Sequence, residues 1–344
     1  MCFKILVLCF VVLFCSVLCD SEEDDLGYSL TIGNAIDVFA NYGDLSQVAQ
    51  VVSADYEGYD GNEEIVPFNE RNIRVFVSVT SKETTSEGIT DMDVLLCETF
   101  DDLLDAYFRS FRIEGTDKPW KAFMGDWIND EIMRTMGLEN DSKPDNCCYV
   151  LVKLSKRHKT VELNNINTVE PKEYIKRAID GLNVSDVAEV RRFMKSYGTH
   201  YIDSYVTGNF IYQIFKYKRT GYNMLRAYIR LRNHGRAKPD NLRFYFSSYF
   251  LKQVGDIRIA SGNKTTESWA RKNLRDVQYL YSRPSLLRLY YNPVLLNKLT
   301  ELMDNGALMG IGLNTLRPLF KDKYKADKYA EIVENDLQLW ENNA

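Results

Sequence analysis

The sequence predicts an α+β fold with a mostly antiparallel sheet. Three observations predict it. Extended runs rich in Tyr, Ile, Val and Phe sit far apart in the chain, segments with helical periodicity fill the gaps, and no repeat or Pro/Gly/Ser-rich linker divides the chain. The composition is that of a folded globular protein, 45% hydrophobic and 26% charged over 344 residues. A formal net charge of −5 argues against nucleic acid as a partner.

The N-terminus comes first. Lys4 precedes a 14-residue apolar run, Ile5 to Leu18, that ends before an acidic stretch beginning at Asp20. A basic start and a short apolar run describe a secretory signal over residues 1–19, shorter than the ~20 residues of a spanning helix. A secreted, extracellular chain follows. Cys2, Cys9, Cys15 and Cys19 leave with that signal, so Cys97, Cys147 and Cys148 remain. Neighbouring cysteines rarely bridge each other, which predicts a disulfide from Cys97 to either Cys147 or Cys148, with one thiol left over. Sequons at Asn140, Asn183 and Asn263 predict glycosylation in that compartment.

A first strand is predicted over Ile73 to Thr80, where Ile73, Val75, Val77 and Val79 alternate with Arg74, Phe76, Ser78 and Thr80. Lys82 to Cys147 reads as helical, with Leu96, Phe100, Leu103, Leu104, Tyr107 and Phe111 at helical spacing, then Trp120, Phe123, Met124, Trp127 and Ile128. Tyr149 to Leu154 is a second strand. Asp186 caps a helix with Glu189 three residues on, whose stripe is Val187, Val190, Met194 and Tyr197. A long strand runs from His200 to about Lys218, and a fourth covers Leu251 to Ala260. A last helix carries Tyr329, Ile332, Val333, Leu337 and Trp340 on one face.

Enzyme signatures are absent. There is no nucleophile elbow, no His-Glu-x-x-His, no P-loop, and Gly310-Ile311-Gly312 lacks the third glycine of a dinucleotide fingerprint. The three histidines lie far apart and none has zinc spacing with cysteine. The expectation is a protein that is not an enzyme and uses no metal or cofactor.

The strongest local pattern is Ser196-Tyr197-Gly198-Thr199-His200-Tyr201, six residues, then Gly208-Asn209. It resembles the signature of the membrane-attack-complex/perforin (MACPF) family: aromatic, Gly, Thr or Ser, His, aromatic, six residues, Gly-Gly. Asn209 stands where the second glycine falls. Ile257 to Gly262, Trp269 and Asn292 to Leu296 resemble the family's later part. The resemblance implies a MACPF/cholesterol-dependent-cytolysin-like fold, a bent four-stranded antiparallel sheet flanked by helical clusters. It places the domain at residues 28–316, before a C-terminal helical tail at 317–344. It also implies that Tyr197 to Tyr201 join a helix to a central strand, that Gly208 lies at the bend, and that His200 is structural. With its opening Thr31 to Phe39 and Tyr42 to Leu45, the chain looks like the insect Torso-like proteins. That implies a developmental role in which a receptor tyrosine kinase, Torso, is locally activated by its ligand Trunk. The implied partners are therefore a ligand or receptor of that type, with association to membrane or eggshell (vitelline membrane). The alternatives are a lytic or immune pore former and a matrix or adhesion scaffold.

In pore-forming MACPF proteins the two helical clusters unfurl into membrane hairpins. Tyr222 to Arg232 and Leu242 to Leu251 have the ~10-residue length of barrel strands. Leu225, Ile229 and Leu231 alternate with polar residues in the first, and Phe244, Phe246 and Phe250 share a face in the second. The earlier cluster fits badly: Lys82 to Cys147 holds 16 acidic and 7 basic residues, among them Asp101, Asp102 and Asp105. It is expected to stay folded. Arg219 to Phe250, by contrast, holds seven basic residues and one acid, and Arg226, Arg230, Arg232, Arg236, Lys238 and Arg243 are expected to form a basic patch.

Overall fold

A computed structural model describes residues 26–27, 30–40, 72–86, 90–123, 129–139, 147–166, 170–233, 239–304 and 306–343. The signal segment, Tyr42 to Leu45, Met124 to Ile128, Asn140, Arg236 and Lys238 lie outside the described residues.

The chain opens with three short strands, β1 (Leu26–Gly27), β2 (Asn34–Ile36) and β3 (Asn72–Arg74). Then come β4 (Ser81–Thr85), β5 (Thr90–Cys97), α1 (Phe100–Tyr107), β6 (Phe111–Ile113), α2 (Trp120–Phe123) and α3 (Asn129–Thr135). The long strand β7 (Cys147–Leu163) leads to α4 (Glu173–Gly181), α5 (Val187–Tyr197) and β8 (His200–Lys218). After β8 follow α6 (Arg219–Asn233), a 3-10 segment (Pro239–Phe246), β9 (Leu251–Val254), β10 (Arg258–Ser261) and α7 (Lys264–Asn273). A hairpin of β11 (Arg275–Asp276) and β12 (Arg283–Pro284), α8 (Pro293–Glu301), β13 (Ala307–Thr315) and α9 (Lys323–Asn343) complete it.

β7 and β8 form the spine, antiparallel from Cys147↔Lys218 to Glu162↔Ser204. Beyond β7, β5 covers Tyr149 to Lys156 and β4 covers Lys159 to Leu163. On β8's other side the partner changes along the strand: β13 pairs with His200 to Gly208, β10 with Phe210 to Tyr212, and β9 with Phe215 to Tyr217.

Alternation sorts the spine into two cores. Tyr149 and Leu151 of β7, with Phe210, Tyr212 and Ile214 of β8, face α1, α2, α3 and α5, joined by α9. Cys148, Val150, Val152 and Leu154, with Ile211, Phe215 and Tyr217, face α6, the 3-10 segment, α7 and α8. Both faces are covered, so the centre of the sheet reads as a continuous apolar run.

The α+β class and the antiparallel spine agree with the sequence reading, but several boundaries do not. The first central strand is β4 with β5; of the predicted Ile73 to Thr80 strand only Ile73 and Arg74 lie in a strand, β3, before β4 begins at Ser81. Leu96 and Phe111 lie in strands, so the helical part of Lys82 to Cys147 is shorter than predicted. Val187 is exposed, leaving Val190, Phe193 and Met194 as the buried stripe of α5. The predicted disulfide is absent: Cys97, Cys147 and Cys148 are free, buried thiols. Cys147 and Cys148 point to opposite cores, because successive residues of a strand do. Burial, with Asp102 and Asp105 nearby, pushes the Cys97 thiol up to about 12.

Candidate functional site

Two features claim attention: the corner where α5 enters β8, with the bend that follows, and the segment between β8 and β9.

The corner is built from local chemistry. Asp186 caps α5, its carboxylate accepting from the Ala188 and Glu189 amides at 2.9 and 3.4 Å. Glu189 reaches back to the Asn183 amide at 3.1 Å. α5 ends at Gly198, whose φ of +88° belongs to glycine, and a Cβ there would stand 2.9 Å from the Ile36 carbonyl. The chain thus passes against β2. Thr199 Oγ1 accepts from the Val38 amide at 3.0 Å, and Tyr329 of α9 donates its hydroxyl to the Thr199 carbonyl at 2.8 Å. His200 has no exposed surface; its Nδ1 lies 3.0 Å from Thr199 Oγ1 and its Nε2 2.9 Å from the Glu114 carbonyl. Burial holds its imidazole down at about 4, so it is neutral. Tyr201 packs edge-on to Phe76 at 5.6 Å, and Tyr197 is half-buried beside Phe193. Tyr197, Gly198, Thr199, His200 and Tyr201 therefore act together as a joint between helix, strand and terminal helix.

The bend lies seven residues further along β8. Gly208 has φ +152°, and a Cβ there would collide with the Lys156 carbonyl and the Met309 sulfur. Opposite it β7 bulges: Arg157 pairs with Gly208 and Lys159 with Thr207, leaving His158 as the extra residue. At this point β8 exchanges β13 for β10 as its neighbour. Asn209 is fully buried, and its amide nitrogen lies 3.2 Å from His158 Nε2, which is also 3.3 Å from the Met303 carbonyl. Lys156 Nζ donates to the Thr300 carbonyl at 3.0 Å. The bend is thus clasped to the end of α8. Gly262, at φ +125°, has no side chain where the Asn209 amide oxygen sits. Sequence reasoning did not find His158 or Gly262 as partners of Asn209; the 51- and 53-residue separations hide them.

The second feature is the helical cluster that the family resemblance places after the third central strand: residues 222–232 are helical in α6, and 239–246 form the 3-10 segment. Tyr222, Leu225 and Tyr228 recur at helical spacing and bury against the Phe215 and Tyr217 face, which gives helix the advantage over alternation. Leu225, Phe246 and Phe250 are buried, Ile229 is half-buried, and Leu231 and Phe244 are exposed. Three described members of the predicted basic patch have partners of their own. Arg226 pairs with Glu98, Arg243 pairs with Asp276 at 2.7 Å, and Arg232 bonds the Tyr290 hydroxyl with its guanidinium over that ring. Of the described set only Arg230 is exposed. Asn183 and Asn263 are exposed, and Asn263 Oδ1 caps α7 through the Thr265 amide at 2.8 Å.

Among the described residues, no group of three or more His, Cys, Asp or Glu is arranged to hold a metal ion, and no helix is long and apolar enough to cross a membrane. A cavity of about 700 Å³ lies behind the corner, lined by Asp37, Phe39, Arg191, Met194, Asp336 and Leu339.

No protein-family model and no curated relative matches the sequence. Solved structures with some similarity to the chain were found. One is a cell invasion protein with a MAC/Perforin domain from Bacteroides thetaiotaomicron, at 12% identity and TM-score 0.44, over 90% of this chain and 60% of that one. GNIP1Aa from Chromobacterium piscinae gives 11% identity and TM-score 0.49, over 91% and 57%. Astrotactin-2, described as a vertebrate-specific perforin-like membrane protein, gives 10% identity and TM-score 0.34, over 81% and 40%. The chain spans about three fifths of the length of the first two.

Proposed function

We propose that this chain is a secreted, non-enzymatic protein of perforin-like architecture and Torso-like type. In this reading it works at the extracellular surface, enabling local activation of a Torso-type receptor tyrosine kinase by its Trunk-type ligand. The perforin-like part is supported by the corner and bend, where Tyr197 to Tyr201, Gly208 and Asn209 do the structural work the signature implies. The Torso-like part is supported by the resemblance over Thr31 to Phe39, whose β2 packs on that corner.

The single observation that favours signalling over lysis is the anchoring of the first helical segment. β6 pairs in parallel with Ile311 to Leu313 of β13, Glu114 receives Thr315 at 2.6 Å, and Thr116 and Lys121 bond Glu341 of α9. A segment held at so many remote points resists unfurling. The test adds purified mature chain to cells bearing such a receptor and an excess of ligand, and reads receptor phosphorylation. A rise that depends on the chain is expected. No rise, together with dye release and large rings on liposomes, would replace this reading with a pore former.

That second reading has one observation in its favour. Residues 222–250 carry both a helical stripe and an alternating one, so the same side chains suit packed and extended states. Dye release abolished by cross-linking α6 to the sheet would support it.

A further inference from the structure

The cavity behind the corner is used neither by the joint nor by the bend. Its volume of about 700 Å³ lies in the range of small-molecule sites. Three elements wall it: the chain just after β2, one side of α5 and the last turns of α9. Phe39, Met194 and Leu339 make its apolar part. Leu339 is 55% exposed there, whereas Leu337, two residues earlier on α9, is buried in the core.

Four charged groups line the same space, and they are of two kinds. Arg191 holds Asp336 as a fork, Nε to Oδ2 at 3.0 Å and Nη2 to Oδ1 at 2.5 Å, so both carboxylate oxygens are taken. Asp37 and Lys195 differ. Asp37 Oδ1 accepts from the Phe39 amide at 3.0 Å, which leaves the second oxygen for another donor. Burial raises this carboxyl, while the Phe39 amide and the Lys195 ammonium oppose the rise. Lys195 stands in the last turn of α5, and among the described residues no ion pair joins it to Asp37. An acid and a base thus line separate walls of one cavity, beyond direct contact, and apolar side chains line the rest.

We propose that this cavity binds an apolar α-amino acid, free or at dipeptide length, as its zwitterion. The α-ammonium group donates to Asp37, the carboxylate accepts from Lys195, and the side chain lies against Phe39, Met194 and Leu339. Charge selects this class. Asp37 and Asp336 against Arg191 and Lys195 leave the lining neutral, so a ligand with net charge adds an uncompensated charge to a partly desolvated space. A neutral apolar molecule covers Asp37 and Lys195 without bonding either. A molecule carrying both signs satisfies both. Because the walls belong to the extension of β2, to α5 and to α9, the ligand also ties the terminal helix to the corner, and its binding adds to stability.

The experiment is calorimetric titration of the purified, secreted chain with L-phenylalanine, L-leucine and leucyl-leucine, with thermal melting alongside. Saturable binding of at least one is expected, and melting should rise by about 4 °C at one hundred times Kd. Phenethylamine lacks the carboxylate, phenylpropionate lacks the ammonium group and glycine lacks the side chain; each should bind at least about tenfold more weakly. Asp37→Asn and Lys195→Gln should each weaken binding of the amino acid about tenfold. Melting without ligand should stay unchanged in both, because Asn keeps an acceptor for the Phe39 amide and Lys195 is exposed. No binding of any of the three ligands would overturn the proposal, as would variants that bind like the parent. Phenethylamine or phenylpropionate binding as tightly as phenylalanine would overturn it in favour of a site that reads one charge or none.

Discussion

The segment between β5 and β7 is stitched into the fold by backbone pairing and bonds to the far end of the chain. The segment between β8 and β9 is held by side chains that pack on one face of the sheet. In the first, β6 completes a ladder with β13, and Phe111 sits among Phe108 and Phe123 at 5.4 and 4.9 Å. In the second, Phe246 packs on Phe215 at 4.9 Å, and Tyr217 donates to the Tyr245 carbonyl at 3.0 Å. Removing the first would open the sheet and uncover the corner; removing the second would uncover one face and leave the ladder intact. Similar positions in the topology thus carry different cooperativity.

The largest expected effect concerns what both segments depend on. Gly208→Val should prevent folding or cost at least about 4 kcal/mol, since the side chain meets the Lys156 carbonyl at a left-handed φ; secretion yield and thermal melting read this. A comparison in which Gly208→Val melts like the parent would remove the bend from the account.

Next come paired cavities. Phe111→Ala and Phe246→Ala should each cost about 3–5 kcal/mol, but hydrogen exchange should separate them. The first should raise exchange at β13 and around His200, and the second only at 219–254. Matching exchange patterns would break the contrast between the segments.

A smaller effect is set by pH. His200 is held neutral and down at about 4 by burial, whereas the unfolded imidazole titrates near 6.5. Between those values the unfolded chain binds more protons, so stability is full above pH 6.5 and is lost progressively as pH falls toward 4. The loss is on the order of 3 kcal/mol. Denaturant melts from pH 7 to pH 4 should show it, and His200→Gln should flatten the slope.

The smallest concerns the clasp. His158 Nε2 faces a donor, the Asn209 amide, and an acceptor, the Met303 carbonyl, and one nitrogen serves only one at a time. A glutamine amide offers both groups. His158→Gln should therefore stabilise by about 0.5–1 kcal/mol and slow exchange at the bend, while His158→Ala should do the opposite.

Much of the corner was legible from residue types alone. A glycine after a capped helix, a histidine with no metal spacing and a glycine inside a long strand each have few structural uses, and the structure realises them at Gly198, His200 and Gly208. The apolar stripe of α9 was legible because Tyr329, Val333 and Leu337 repeat over several turns. β5 was missed for a physical reason: Asp91 and Asp93 are exposed on an outer strand, so acids there cost little and obscured the alternation of Met92, Val94 and Leu96. α6 carries both periods in its sequence, and the sheet face beneath favours the helical one in the folded chain. The pairing of Arg226 and Arg243 was not legible because their partners, Glu98 and Asp276, lie outside the segment.

The change of neighbour along β8 also bears on how the protein is made. The half of β8 beyond the bend meets β9 and β10 within about 50 residues of its own synthesis, whereas the half before it waits for β13, more than 90 residues after Gly208. On the ribosome the outer half can therefore close first, and His200 remains wet until Thr315 and Tyr329 have emerged. A chain stopped before residue 306 would display an open strand edge at His200 to Gly208. For a chain that folds in this order, the terminal strand and helix serve as the closing seal, and quality control that senses exposed strand edges would read their arrival.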